Sequence, residues 1–219
     1  MTDTLQDQAE PSSELPQDAP VETPSKPKNR FASVQPVLEK LFELYPHLFG
    51  ERFLPLKLGI FQELLAAHPE EFKRDALKAA LGVHTRSTRY LQCVAAGQKR
   101  HDLQGRPVED VAPEHVFLSV VELFQRRQAR NTDDLRPKLR NQLRAAFEKS
   151  GLTRQDYLAR IGTPSEDIQV LLDEVLAEVE QQRARRAALK KAFESSGQSV
   201  EAFADALGMR VSDLQAALK

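Results

Sequence analysis

The chain has 219 residues, 41% of them hydrophobic, with 31 basic against 32 acidic residues and a formal net charge of −1. That length accommodates one or two domains with a real core. The single cysteine, Cys93, excludes an intrachain disulfide and a cysteine-built zinc site, and no apolar run of about 18 residues offers a membrane span. Leu and Ala dominate, Trp is absent and β-branched runs are scarce, so the expected fold class is mainly α. The first residues have neither the basic nor the apolar region of a signal peptide, and a cytoplasmic location is expected.

Residues 1–30 carry six acids and five prolines but no aromatic, too little apolar surface to offset the entropy of ordering. A disordered acidic tail is expected there. A first domain is expected over 31–131. Val34, Val37, Leu38, Leu41 and Leu44 recur at helical spacing, and Tyr45-Pro46 ends that helix. A second helix is predicted from Leu58 to Ala67, and a third opens at Pro69 and runs through Leu81. Thr85 or Ser87 caps a fourth, which Gly97 stops after about Ala96. Arg100 to Leu103 and Arg106 to Val108 then flank Gln104-Gly105, a two-residue link of the hairpin type. Pro113 opens a fifth helix reaching about Arg130.

Residues 132–219 contain an internal repeat at an offset of 46, found without a gap. Leu143, Phe147, Ser150-Gly151, Tyr157, Ile161-Gly162, Ile168 and Leu172 match Leu189, Phe193, Ser196-Gly197, Phe203, Leu207-Gly208, Leu214 and Leu218. The units, about 139–172 and 185–218, each read as helix, short helix and helix in a helix-turn-helix-like pattern. Nothing between Ser165 and Ser195 breaks a helix, so one long helix is expected to be shared between them. The acidic 173–180 and basic 183–191 stretches of that helix could pair between antiparallel copies, or form a solvated face, the commoner role of such charge runs. DNA reading is the weaker expectation, because Glu166, Asp167, Asp173 and Glu174 would be repelled by phosphate.

Charge is unevenly spread. Between Lys73 and Arg106 stand eight basic residues against two acidic ones, a patch expected of a polyanion binder. Thr85 and Ser87 begin a helix whose free N–H groups attract anions, with Arg86 and Arg89 beside them. Tyr90 offers a ring for an unpaired base or a hydroxyl for a sugar or phosphate oxygen. Arg74 and Lys78, four apart on one helix face, suit a nucleic-acid backbone; Lys57, Lys99 and Arg100 extend the cationic set. The five histidines show no metal-ligand spacing, and no phosphate loop or nucleophile motif is present. Neither enzymatic activity, metal nor cofactor is expected.

The segments Lys57-Leu58-Gly59-Ile60-Phe61-Gln62, Arg89-Tyr90-Leu91 and Lys99 to Gly105 together resemble the core of the ProQ/FinO family of RNA chaperones, aligned without a gap. The resemblance implies a FinO-like helical domain with a small β-hairpin, acting in post-transcriptional regulation on stem-loops with a single-stranded 3′ tail. Implied partners are terminator-like hairpins, small RNAs and mRNA 3′ ends, with no membrane. Lys57, Arg74, Lys78, Arg89, Tyr90 and Arg100 fall on RNA-contacting positions of the family, and Thr85 and Ser87 on its helix-start hydroxyls. His84 and Thr88 depart from its common aromatics, and Gly82 and Ala95 from frequent basic residues. The acidic tail would be a solubilising segment or a mimic competing with RNA. The alternative reading is a helical protein-interaction adaptor or DNA-binding regulator built on 132–219, the module through which a protein partner or self-association would act.

Overall fold

The computed structural model describes residues 30–50 and 52–218, with side chains from residue 33 onward. The tail expected over 1–30 lies outside the described residues except for Arg30, which opens α1 (Arg30–Leu44). Val34 and Leu41 of α1 are buried, with Val37 and Leu44 at the edge of the same core. After Tyr45 the chain re-enters one helical turn, α2 (Pro46–Phe49), which buries Leu48 and Phe49.

Two expected helix starts move. Gly59, in the left-handed conformation at φ 83°, delays α3 (Ile60–Ala67) past Leu58. The helix expected from Pro69 is α4 (Arg74–Thr85). The N–H groups of Glu71 and Phe72 instead donate to the His68 carbonyl, closing a turn, and Lys73 is extended. Ser87 caps α5 (Thr88–Ala95) by accepting from the Tyr90 N–H at 3.2 Å. Thr85 does not cap it. Its hydroxyl donates back to the Leu81 carbonyl at 2.8 Å, as the last residue of α4.

β1 (Arg100–His101) pairs antiparallel with β2 (Pro107–Glu109). The link is longer than Gln104-Gly105, because the Asp102 carboxylate accepts from the N–H groups of Gln104 (3.0 Å) and Arg106 (2.9 Å) and draws residues 102–106 into one loop. Residues 55–57 lie along β1: Lys57 N–H donates to the His101 carbonyl and His101 N–H to that of Pro55. Leu41, Leu48, Leu64, Leu77, Tyr90 and Leu103 belong to the core these elements enclose.

The long helix α6 (Pro113–Gln128) is the seam of the molecule. Its Val116 joins that first core, whereas Phe117 and Val120 join a second with Leu143, Phe147, Tyr157 and Leu176. The second core is closed by α7 (Arg136–Ser150), α8 (Arg154–Ile161) and the first half of α9 (Glu166–Ser196), a helix of 31 residues. α10 (Val200–Ala206) and α11 (Val211–Leu218) fold back on the far half of α9 around Phe203, Ala204 and Leu214.

Local interactions recur 46 positions apart. Phe147 and Tyr157 meet edge to face at 5.1 Å, and Phe193 and Phe203 at 5.4 Å. The hydroxyls of Ser150 and Ser196 both donate to the carbonyl three residues back, and Thr153 and Ser199 both cap the following helix. The burial differs: Ile161 is 9% exposed, its counterpart Leu207 47%.

Candidate nucleic-acid interface

The cations expected to form the site sort into three groups. Arg74, Lys78 and Arg86 stand exposed along α4 and its end, at intervals of four and eight residues, which keeps them on one side of the helix. Arg74 lies over the Phe61 ring at 5.8 Å. At the α4–α5 corner, Arg89 is exposed and stacks on Phe53 at 4.5 Å, beside the half-buried Ser87. That stacking holds the guanidinium flat against the ring. Lys57 and Lys99 flank the strand pair. Lys57 forms an ion pair with Glu63, whose hydrogen bond and charge raise its pKa, and Lys99 lies 3.9 Å from Asp110.

Tyr90 and Arg100 take a different place. Tyr90 is 7% exposed, and its hydroxyl accepts from the Leu56 N–H at 3.0 Å. Arg100 is 9% exposed; it donates to the Leu56 carbonyl at 2.9 Å and lies 3.1 Å from His115 Nδ1. The two side chains hold the backbone of Leu56, one at its N–H and the other at its carbonyl, and the buried Tyr90 ring offers no face for stacking. The order of burial explains this. The amphipathic α5 turns Tyr90, Cys93 and Val94 inward, and its hydroxyl then meets a backbone donor that would otherwise be orphaned. Their geometric effect is to fix the segment that carries Lys57.

Two neighbouring features escaped sequence reasoning. A groove of about 500 Å³ runs between α1 and the α4–α5 corner, lined by Leu38, Phe42, Phe49, Phe53, His84 and Ser87. His84 is 5% exposed at 4.7 Å from Phe49, 4.6 Å from Phe53 and 5.3 Å from Tyr90. Its Nε2 has no hydrogen-bond partner among the described residues, and burial pushes its pKa down to about 4. A second cavity, of about 350 Å³, is lined by Thr88, Arg126, Arg127, Arg130 and Lys138. Arg126 also donates to the Arg86 carbonyl at 2.8 Å, which joins this basic surface to the corner. The signal was present as three arginines within five residues, but on a helix end they read as dipole complements.

Asp102 pairs with Arg106, whose backbone N–H, followed by its side chain, holds the carboxyl below the ordinary range. Among the described residues no group of three His, Cys, Asp or Glu could hold a metal, and no helix is long and apolar enough to cross a membrane. Asp173, Glu174, Glu178 and Glu180 pair with Arg154, Arg140 and Arg144 within the chain.

Fold and site together define a small helical domain with a two-stranded sheet and exposed cations along α4 and at the α4–α5 corner. Residues 31–136 match the ProQ/FINO family, and this part of the chain belongs to it. The RNA chaperone ProQ of Shewanella amazonensis is 39% identical over 85 residues, covering 36% of this chain and 38% of that protein. The RNA chaperone ProQ of Shewanella frigidimarina is 34% identical over 100 residues, 43% of this chain and 49% of that one. A crystal structure of a FinO-like RNA chaperone from Neisseria meningitidis MC58 is 33% identical, covering 40% of this chain and 90% of that chain, with a TM-score of 0.37. The chain thus spans less than half the length of these two curated relatives.

Proposed function

We propose that the protein binds structured RNA, favouring stem-loops followed by a single-stranded 3′ tail, and acts as an RNA chaperone on small RNAs and mRNA 3′ ends. The observation that carries this reading is the match of residues 31–136 to the ProQ/FINO family, on the part of the chain where the exposed cations of α4 and the α4–α5 corner lie. Arg74, Lys78 and Arg86 follow the phosphates of the duplex. Arg89 clamps a phosphate of the tail from its seat on Phe53, and the N–H groups at the start of α5, set by Ser87, face the same anion. Lys57 and Lys99 extend the contact across the strand pair. Thr85, Tyr90 and Arg100 act from behind this surface, Tyr90 and Arg100 through the Leu56 peptide. An unpaired base enters the aromatic groove between Phe42, Phe53 and His84. We assign the RNA contact to 31–131 and partner binding to the helical module 132–219.

The test is binding of the intact protein to a hairpin RNA with a 3′ U-tail, ending in hydroxyl or phosphate, as salt is raised. Log K should fall by roughly 0.7 to 0.9 per phosphate contact per decade of salt. Arg74→Ala with Lys78→Ala should weaken every RNA alike and lower that slope by about two contacts' worth, roughly 1.4 to 1.8. Arg89→Ala should erase the preference for the free 3′ end. A flat salt response, or equal affinity for both ends in all variants, would refute the reading.

A further inference from the structure

The second unit of the repeat presents the receiving surface of the first, with no occupant among the described residues. In the first unit, α7 presents Leu143 and Phe147 to the first half of α9, where Val175, Leu176 and Val179 are fully buried in the same core. That contact is flanked by charge: Arg140 pairs with Glu174 and Glu178, and Arg144 with Glu178. Shifted by 46 residues, Leu143 and Phe147 become Leu189 and Phe193, and Arg140 and Arg144 become Arg186 and Lys190. The receiving surface is therefore repeated, apolar pair and cationic pair alike. Among the described residues no segment occupies it as Glu174, Val175, Leu176, Glu178 and Val179 occupy the surface of the first unit. Leu189 and Phe193 accordingly remain partly exposed, and Arg186 and Lys190 are exposed with no ion pair among the described residues.

We propose that this face of the second unit, Leu189, Phe193, Arg186 and Lys190, docks an acidic amphipathic helix of a partner protein. The helix would present apolar residues at the spacing of Val175, Leu176 and Val179, with glutamates four apart as in Glu174 and Glu178. The first unit shows that such a helix packs on this surface and satisfies both cations, and the charge selects the partner. Two cations beside two aromatic or aliphatic side chains repel a basic helix and leave a neutral one without its flanking contacts. Nucleic acid is the other polyanion class, but it would leave Leu189 and Phe193 uncovered.

The probe is a fluorescein-labelled peptide with the sequence of residues 166–182, titrated with the full-length protein and followed by anisotropy. In the intact chain the first unit is already filled by its own α9, so the peptide reports on the second. Saturable binding in the micromolar range is expected, weakened at least tenfold by the double substitution Arg186→Glu, Lys190→Glu. A peptide carrying Lys at the positions of Glu174 and Glu178 should show the opposite preference, binding the doubly substituted protein better than the wild type. Both substitutions are on exposed side chains, and the swapped peptide separates lost recognition from lost folding. No saturable binding, or binding indifferent to both charge reversals, would overturn the proposal. So would a hairpin RNA losing affinity for the double variant while the peptide binds neither protein, because the cations would then belong to a nucleic-acid surface.

Discussion

His84 makes the stability of this domain depend on pH in a way that can be worked out before measurement. Its ring is enclosed by Phe49, Phe53 and Tyr90, and burial lowers its pKa from 6.5 to about 4. Between those two values the unfolded chain holds a proton at His84 that the folded chain refuses. Stability therefore falls as pH drops through that window, and the full loss is reached below about pH 4. At 1.36 kcal/mol per pH unit the loss is roughly 3 kcal/mol, a large part of the typical margin of about 5–15 kcal/mol. Urea unfolding of wild type and His84→Phe at several values between pH 4 and pH 7 reads it directly. The phenylalanine removes both the titration and the unpartnered Nε2, so the variant should match or exceed wild type by about 1 kcal/mol at pH 7. It should then be the more stable by about 3 kcal/mol or more near pH 4. Parallel curves for the two proteins would show that His84 titrates normally and that the aromatic enclosure does not exclude its charged form.

Tyr90→Phe keeps the ring but orphans the Leu56 N–H, so urea midpoints should report a loss of about 1–2 kcal/mol, with RNA affinity changing only through the seat of Lys57. Unchanged stability with lost RNA binding would instead place the hydroxyl on RNA. Gly105 has φ +74°, and a Cβ there would stand 2.6 Å from Cδ2 of His47, whose Nε2 is held at 2.9 Å from the Leu103 carbonyl. Gly105→Ala should cost about 2 kcal/mol from the left-handed backbone and the clash together, read as a lowered thermal midpoint. Tyr157 is buried with no partner for its hydroxyl among the described residues, and burial raises its pKa to about 12. Tyr157→Phe should be neutral or stabilising by up to about 1 kcal/mol, and a clear destabilisation would reveal a hydrogen bond to water at that oxygen.

The legible parts of the chain were those whose signal is local. Ser87 as a cap, Pro113 as a helix opener and the unbroken run that became α9 are decided within a turn or two of backbone. So is the grouping of exposed cations on α4, since helix periodicity places side chains without reference to anything else. The surroundings of Tyr90 and Arg100 were not legible, because they are set by contacts 34 and 44 residues away in sequence, to the N–H and the carbonyl of Leu56. A polar aromatic and an arginine in a basic segment look identical whether they face solvent or a buried amide. The aromatic groove was invisible for the same reason: Phe42, Phe53 and His84 come from three separate segments. The start of α4 failed on a smaller scale, where a proline signal lost to a turn closed on the His68 carbonyl.

That long-range dependence also bears on how the two halves of the chain are to be tested. α6 gives Val116 to one core and Phe117 and Val120 to the other, so cutting the chain near residue 131 strips the cover from two side chains that are now 2% and 1% exposed. Truncation would also delete Lys149, whose ammonium donates to the carbonyls of Gly97 at 2.7 Å and Ala96 at 3.2 Å, closing the C-terminal end of α5. At the other end of α5, Arg126 holds the Arg86 carbonyl. The helix that presents Arg89 is thus braced at both ends, one brace coming from α7. A fragment that loses RNA affinity would say little about where RNA binds. Lys149→Ala in the intact chain is the cleaner perturbation. It should cost about 0.3–1 kcal/mol of stability, and because the RNA face keeps every cation it should leave the salt slope unchanged. A fall in slope would mean that Lys149 itself meets phosphate.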